Sequence, residues 1–306
     1  MGPYDPPKVI RTEVVAVLPE RFTRAGSRPG RTSSRYARPQ VGVDCYLEGP
    51  SFDRSGHLYF TDVPHGRIFR MAPSGDIDLV AEYDGEPNGL KIHKDGRIFI
   101  ADYRHGVMLL DPASGAVAPF ADLLPAESFK GLNDLVFASN GDLYFTDQGK
   151  TGLHDPSGRV YRFTAKGHLQ ALIETLPGPN GLVLSPDEKV LYVGSRANAI
   201  WWQPLFERRP PARTGTFATL PGFGTPDGMA VDEAGNVVCV QHNMGVVWVF
   251  NRIGLPVWRI ETCAGDKLTN IAYGGPARQD LYILDGDGKI LLAHMPVPGL
   301  ATYAQQ

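Results

Sequence analysis

The sequence lacks any apolar run of the length that a membrane helix needs, and its mean hydropathy is −0.18. A helix that crosses a bilayer needs about 20 predominantly apolar residues, so a helical membrane protein is excluded. The N-terminal residues show no basic segment followed by an apolar one, and no secretion signal is recognisable. We therefore expect a soluble, cytoplasmic protein that does not bind membranes.

Cysteine is scarce and the charge is nearly balanced. Cys45, Cys239 and Cys263 are odd in number, far apart and without a Cys-x-x-Cys motif, so neither a disulfide framework nor a thiolate metal site is expected. The 30 basic and 33 acidic residues leave a formal net charge of −3, which gives no electrostatic basis for binding nucleic acid. The expected partner is a small-molecule substrate, and the oligomeric state is left open.

Glycine and proline are abundant, with 35 and 26 residues that make up about a fifth of the chain. This composition disfavours a helical protein and favours short strands joined by turns. A pattern of strand, tight turn and strand recurs six times at a spacing of roughly 45 residues. The six copies are Phe52–Asp62, Ile92–Asp102, Phe137–Asp147, Leu184–Gly194, Val231–Gln241 and Tyr273–Asp285.

Further strands follow most copies, such as Arg67–Met71 and Ile77–Ala81 after the first. Four strands repeated six times predict an all-β fold, a six-bladed β-propeller, and a β-sandwich with coincidental hairpins is the alternative. The strand Glu13–Leu18 precedes the first copy, whereas the last copy is one strand short. We therefore predict that this N-terminal strand completes the last blade and closes the ring, which removes exposed sheet edges.

A closed ring corresponds to a single domain over residues 1–306, with residues 1–12 and 299–306 as flexible ends. Between the N-terminal strand and the first repeat lies a loop, residues 21–40, with six arginines from Arg21 to Arg38. We interpret it as a solvated surface loop. A lid or a partner-binding arm is the alternative.

One polar residue recurs at the same position in every repeat. It lies eleven residues before the middle of the second strand, or twelve in the two copies whose turn is one residue longer. Because innermost strands surround the axis of a propeller, these side chains are expected to converge there. Carboxylate and amide oxygens suit hard divalent cations such as Ca²⁺, Mg²⁺ or Mn²⁺. The six residues are Glu48, Asn88, Asn133, Asn180, Asp227 and Asn270.

The alternative is that these residues only tolerate turn geometry. Three of them lie in ordinary turn sequences, Pro87–Leu90, Pro179–Leu182 and Pro226–Met229. Glu48 argues against this alternative, because glutamate is not a typical turn residue. We therefore favour a metal-binding ring.

The motifs around this position resemble the SMP-30/gluconolactonase/luciferin-regenerating-enzyme family, over nearly the whole chain from residue 13 to residue 293. The motifs that carry the resemblance are Glu48–Pro50, Asn133-Asp134, Pro179–Leu182 and Pro226–Met229. The resemblance implies a six-bladed propeller that binds a divalent metal at its centre and hydrolyses lactones. Ile92–Gly96 is most similar to the bacterial drug-responsive lactonases within that family.

The resemblance also implies roles for individual residues. Glu48, Asn180 and Asp227 would be metal ligands, Asn133 a ligand or substrate contact, and Asp227 also the general base. Ca²⁺ is the expected ion, with Zn²⁺, Mn²⁺, Mg²⁺ or Fe²⁺ as alternatives, and no organic cofactor is expected. The residues predicted to contact substrate are Asn133, Asn88, Asn270, Tyr103 and His242.

This sequence departs from the family at one position. Members that act on sugar lactones often have an arginine two residues before the asparagine of the third blade, where this chain has Gly131. The glycine disfavours an aldonolactone substrate and leaves less charged or aromatic lactones. Two alternatives to lactone hydrolysis remain: another small-molecule reaction at the same metal, such as isomerisation or a different hydrolysis, or a non-catalytic binding propeller with a structural metal.

Overall fold

The computed structural model describes residues 5–23, 45–120, 128–206 and 213–306, so most of the arginine-rich loop lies outside the described residues.

Strands β1 (Lys8–Arg11) and β2 (Glu13–Val17) and the short helix α1 (Glu20–Thr23) precede six sheets that form the blades. The first three blades contain β3 (Leu47–Phe52), β4 (Leu58–Asp62), β5 (Arg67–Met71) and β6 (Ile77–Glu82); β7 (Pro87–Ile92), β8 (Ile98–Asp102), β9 (Gly106–Leu110) and β10 (Val117–Pro119); and β11 (Leu132–Phe137), β12 (Leu143–Asp147), β13 (Gly158–Phe163) and β14 (Leu169–Leu176).

The last three blades follow the same order from the innermost strand outwards. They contain β15 (Pro179–Leu184), β16 (Val190–Ser195), β17 (Ala199–Pro204) and β18 (Gly215–Thr219); β19 (Pro226–Val231), β20 (Val237–Gln241), β21 (Val246–Phe250) and β22 (Pro256–Glu261); and β23 (Leu268–Gly274), β24 (Asp280–Asp285) and β25 (Lys289–His294). Two short 3-10 helices span Val63–His65 and Tyr303–Gln305. Each innermost strand contacts the innermost strand of the next blade, and β23 contacts β3. The predicted six-bladed β-propeller is therefore confirmed.

The N-terminal strand closes the ring as predicted. Strand β2 pairs antiparallel with β25, and Glu13 lies opposite Leu292. Strand β1 adds a contact that was not predicted, because it pairs parallel with β22 and makes the fifth blade five-stranded. Near the other end of the described chain, Tyr303 is also buried.

The hydrophobic core lies between neighbouring blades. In one interface Ile68 of the first blade packs with Leu90, Ile98 and Ile100 of the second. Both faces of the second strands are covered, so every residue of β4, β8 and β12 is buried. Each fully buried aliphatic side chain contributes about 1.5–3 kcal/mol, and this packing fixes the innermost strands around the axis.

Among the residues that the structure describes, no helix is long and apolar enough to span a bilayer. The cytoplasmic location and the single domain over residues 1–306 stay predictions. A single cooperative unfolding transition would support the second of them.

Candidate metal centre

The six polar residues of the repeat lie near the start of the innermost strands, where these strands surround the axis. Each is the second residue of its strand, except Asn270, which is the third residue of β23. The structure thus gives them closely corresponding positions, inside the innermost strands and among their first residues. All are buried, with exposed fractions from 0% to 7%: Glu48, Asn88, Asn133, Asn180, Asp227 and Asn270.

A β-bulge interrupts the pairing of the first two strands of every blade at this position. In the first blade the register shifts between Glu48 and Ser51, and the other five blades shift at the corresponding residues. A bulge leaves a residue outside the ladder and redirects its side chain. The Pro-Asn-Gly and Pro-Asp-Gly sequences are therefore parts of bulged strands, so turn geometry does not explain their asparagines and aspartate.

A glycine follows the ring residue in four blades because successive innermost strands approach closely there. A Cβ at Gly89 would lie 2.4 Å from Oδ1 of Asp134, and one at Gly228 would lie 2.1 Å from Oδ1 of Asn270. Any side chain at these positions would displace the neighbouring polar group. Glycine thus lets polar side chains of adjacent blades meet.

Three buried carboxyl groups lie together at the ring, those of Glu48, Asp134 and Asp227. Burial raises the pKa of Glu48 well above its ordinary value, and repulsion from Asp227 and Asp134 raises it further. Asn270 offsets part of this repulsion, because its Nδ2 donates to Oε2 of Glu48 at 3.0 Å and to Oδ2 of Asp134 at 3.3 Å. The cluster is rich in negative charge that a divalent cation would neutralise.

Asp134 also belongs to this cluster, although counting one residue per repeat does not select it. It follows Asn133 at the position where four other blades have glycine. Lys91 on β7 places its Nζ 3.9 Å from Oδ1 of Asp134. When the six repeats are aligned, Asp134 stands out because an acidic residue replaces the repeated glycine. This difference could have identified the carboxylate from the sequence.

Asn133 and Asn180 are the ring residues of the third and fourth blades. Nδ2 of Asn133 donates to Oε1 of Gln148 at 3.4 Å, so its Oδ1 is the atom that can coordinate a cation. Oγ1 of Thr146 donates to the carbonyl oxygen of Asn180 at 2.8 Å and accepts from the backbone N of Asp134 at 3.1 Å. Thr146 therefore fixes the backbones of the third and fourth blades relative to each other beside the cluster.

His242 lies next to Asp227. Its Nδ1 is 2.8 Å from the carbonyl oxygen of Leu268 and 3.5 Å from Oδ2 of Asp227. Because both of these atoms accept, the ring proton is assigned to Nδ1, and Nε2 is an acceptor 3.5 Å from Oη of Tyr46. Burial lowers the pKa of His242, against the opposing effect of the bond to Leu268, so the neutral ring is favoured near neutral pH.

Acidic residues at the ends of the second strands hold the chain segments that lead into the ring. Oδ1 of Asp62 accepts from the backbone N of Tyr46 at 2.8 Å. Oδ1 of Asp147 likewise accepts from the backbone N of Gly131 at 2.8 Å, and Asp102 binds the corresponding N–H in the second blade. Each bond fixes the residue two positions before a ring residue of the same blade.

Tyr103 packs against Gly131 at the third blade. A Cβ at Gly131 would lie 2.3 Å from the Tyr103 ring, and φ of Gly131 is +144°. The tyrosine ring therefore occupies the space that a side chain two residues before Asn133 would need. This contact gives a physical reason for glycine at the position where sugar-lactone relatives often have arginine.

We expect Gly131→Ala to displace Tyr103 and to lower the free energy of unfolding by about 1–3 kcal/mol, as measured by denaturant titration. The methyl group would overlap the ring, and alanine rarely adopts this backbone conformation. Gly167→Ala is the matched control, because φ of Gly167 is +84° and a Cβ there would meet no atom within 4 Å. A Tyr103→Ala background should remove the steric part, and an unchanged cost there would contradict the proposed overlap.

The donor chemistry of the ring fits a hard divalent cation. Within the described ranges, no three His, Cys, Asp or Glu side chains are grouped closely enough to hold a metal ion by themselves. A cation here would therefore need amide oxygens, such as those of Asn133 and Asn180, beside the carboxylates. Ca²⁺ accepts this mixture of carboxylate and amide oxygens.

Comparison with known proteins confirms the family. The sequence profile described as SMP-30/Gluconolactonase/LRE-like region matches residues 47–286, so the chain belongs to this family. The chain is 30% identical over 275 residues to a gluconolactonase of Zymomonas mobilis, and the aligned region covers 78% of this chain and 75% of the relative. It is 32% identical over 227 residues to lactonase drp35 of Staphylococcus aureus, and this alignment covers 70% of this chain and 69% of the relative. The solved structure of a gluconolactonase from Xanthomonas campestris superposes with a TM-score of 0.72 at 26% identity, over 82% of this chain and 86% of that one.

Proposed function

We propose that the protein hydrolyses lactones at the ring of polar residues on the propeller axis. The observation that carries the proposal is the buried cluster of Glu48, Asp134 and Asp227 with an amide donor between two of its carboxylates. Relatives about 30% identical to this chain are named gluconolactonase and lactonase. A hydrolase active on cyclic esters is therefore the function that the site and the family support together.

The site is proposed to hold one divalent cation, with Ca²⁺ as the first expectation. Its ligands would be Glu48, Asn180, Asp227 and Asn133, and Asp134 adds negative charge beside them. When bound, the cation would polarise the lactone carbonyl and stabilise the negative charge that develops on its oxygen.

The protein's own residues handle the proton. Asp227 accepts a proton from the attacking water as the water oxygen bonds to the carbonyl carbon. The bond between this carbon and the ring oxygen then breaks, and Asp227 returns the proton to the departing alkoxide, which gives a hydroxy acid. His242 lies beside this carboxylate, with Nδ1 3.5 Å from Oδ2 of Asp227, and its ring is oriented by the bond that Nδ1–H donates to the carbonyl oxygen of Leu268.

Substrate contacts are proposed for Asn133, Asn88, Tyr103 and His242. The two bonds that Asn270 donates to carboxylates favour a role in orienting Glu48 and Asp134. The Tyr103 ring next to Gly131 supports an aliphatic or aromatic lactone over an aldonolactone, because an aromatic ring stands where a guanidinium would bind sugar hydroxyls.

The test is a panel of lactones that includes an aldonolactone, aliphatic γ- and δ-lactones and an aromatic lactone. The purified protein is assayed as isolated, after chelation and after Ca²⁺ is restored. We expect aliphatic or aromatic lactones to react at least about tenfold faster than the aldonolactone, and chelation to remove most of the activity reversibly. A metal-loaded protein that opens none of these rings, but loses thermal stability on chelation, would instead support the binding propeller with a structural metal.

A further inference from the structure

A cavity lies on the propeller axis at the end opposite to the start of the innermost strands. Its volume is about 120 Å³. The ring residues begin the innermost strands, whereas later residues of the same strands line this cavity. Among them are Pro50, Leu182, Met229 and Ala272. The cavity is therefore distinct from the proposed catalytic site and lies beneath it.

Lys91 supplies the positive charge of this cavity. It lines the cavity together with Pro50, and its Nζ lies 3.5 Å from the carbonyl oxygen of Pro50 and 3.9 Å from Oδ1 of Asp134. These distances are at or beyond the limit of a good hydrogen bond. Because an ammonium group has three donors, Lys91 can bind a further acceptor from the cavity side.

The remaining charge at the cavity does not compete for this ammonium group. Of the described residues that line the cavity, Lys91 is the one basic residue and Glu188 the one acidic residue. The carboxylate of Glu188 accepts hydrogen bonds from N and Oγ of Ser139, at 2.7 Å and 2.8 Å. Glu188 is thus held by a surface turn, and aliphatic and aromatic side chains dominate the rest of the lining.

The C-terminal residues cover the cavity from outside. The backbone N of Leu300 donates to the carbonyl oxygen of Val231 at 3.0 Å, and Nε of Arg54 donates to that of Ala304 at 2.9 Å. The ring of Tyr303 lies 5.3 Å from that of Phe137, between centroids. The C-terminal residues therefore cover part of the cavity, and a ligand inside it would be partly shielded from water.

We propose that this cavity binds a monocarboxylic acid with an apolar chain, its carboxylate on Lys91 and its chain among the apolar lining. A neutral apolar molecule would add nothing to the two long contacts of the ammonium group with Pro50 and Asp134, and a cationic one would be repelled by it. A water molecule occupies about 10–15 Å³ of such a volume, so the cavity holds on the order of ten non-hydrogen atoms. This size corresponds to an acid of about eight carbons.

Isothermal titration with straight-chain acids of four to twelve carbons tests the proposal on the intact protein, with and without chelator. Affinity is expected to rise to about eight carbons and then to fall when the chain no longer fits. The alcohol of equal length should bind at least about tenfold more weakly, because it lacks the charge-assisted bond. Binding should persist in both metal states, because the cavity and the proposed cation site are lined by different residues.

Substitutions at Lys91 separate this site from non-specific binding. Lys91→Met should abolish the preference for acid over alcohol, whereas Lys91→Arg should keep it. Lys94→Met is the matched control, because Lys94 is exposed and its Nζ lies 5.3 Å from the centroid of the Tyr303 ring. Unchanged acid binding in Lys91→Met, no binding by any acid of the series, or binding that disappears with chelation would each overturn the proposal. Circular dichroism and Tm establish that each variant is folded.

Discussion

Asp227→Asn is expected to lower kcat for lactone hydrolysis about a thousandfold, within the range that a general base contributes. Asparagine has the shape of aspartate and still offers an oxygen to a cation, although the lost charge weakens cation binding, so the variant is assayed at saturating Ca²⁺. Its amide cannot accept the proton of the attacking water. The effect should therefore fall on kcat, with a change in KM of only a few fold. Steady-state kinetics on the best lactone of the panel, with metal content measured in parallel, gives the result.

Asp266→Asn is the matched control for Asp227→Asn. Asp266 is exposed, and its charge acts on His242. The substitution therefore removes an acidic group near this histidine and changes none of the six polar residues on the propeller axis. Asp266→Asn should keep kcat within about twofold of the wild type, as expected for a surface change. If Asp227→Asn bound metal and retained wild-type kcat, Asp227 could not be the base, and His242 would be the next residue to test.

The fold was predictable because the sequence features that specify it are local and occur in every repeat. The hairpins of the six copies correspond to pairs such as β3–β4 and β11–β12, since each contains its own turn and its own apolar strands. The pairing of β1 with β22 was missed because Lys8 and Trp258 meet across nearly the whole chain. Nothing in the spacing of four residues near the N-terminus indicates so distant a partner.

The candidate site was predictable to the extent that it follows the repeat. Counting along the repeats gave Glu48 and Asp227, and the structure brings these two together. Asp134 was missed because the count selected one residue per blade and stopped at Asn133. Lys91 was also missed, since its approach to Asp134 joins two blades and depends on side-chain length rather than on sequence spacing.

Glu48→Gln is expected to have opposite effects on the metal-free and the metal-bound protein. Without metal, the substitution removes a buried carboxyl group that Asp227 and Asp134 repel, so Tm should rise. With metal, a charged ligand is lost, and affinity should fall at least about a hundredfold, because loss of weaker outer contacts already costs 10–100-fold. The rise in Tm that Ca²⁺ produces in the wild type should therefore largely disappear at moderate Ca²⁺ concentration.

The pH dependence of the metal-free protein should change in the same variant. The pKa of Glu48 is raised above its ordinary value of 4.5 in the folded state, so the folded protein binds this proton more tightly than the unfolded chain does. Its contribution to stability is therefore fully present below pH 4.5 and is lost as the pH rises through the raised pKa. The wild type should lose stability over this interval, and Glu48→Gln should lose less.

Thermal unfolding with chelator and with added Ca²⁺, each over a pH series, measures both effects of Glu48→Gln. Glu174→Gln on β14 is the control, because Glu174 is exposed on an outer strand, and it should reproduce the wild-type curves. A Glu48→Gln protein with the full Ca²⁺-dependent rise in Tm would exclude Glu48 as a ligand. A variant less stable than the wild type in chelator would show that Glu48 serves the metal-free fold, because the bond from Asn270 would then outweigh the repulsion between the carboxylates.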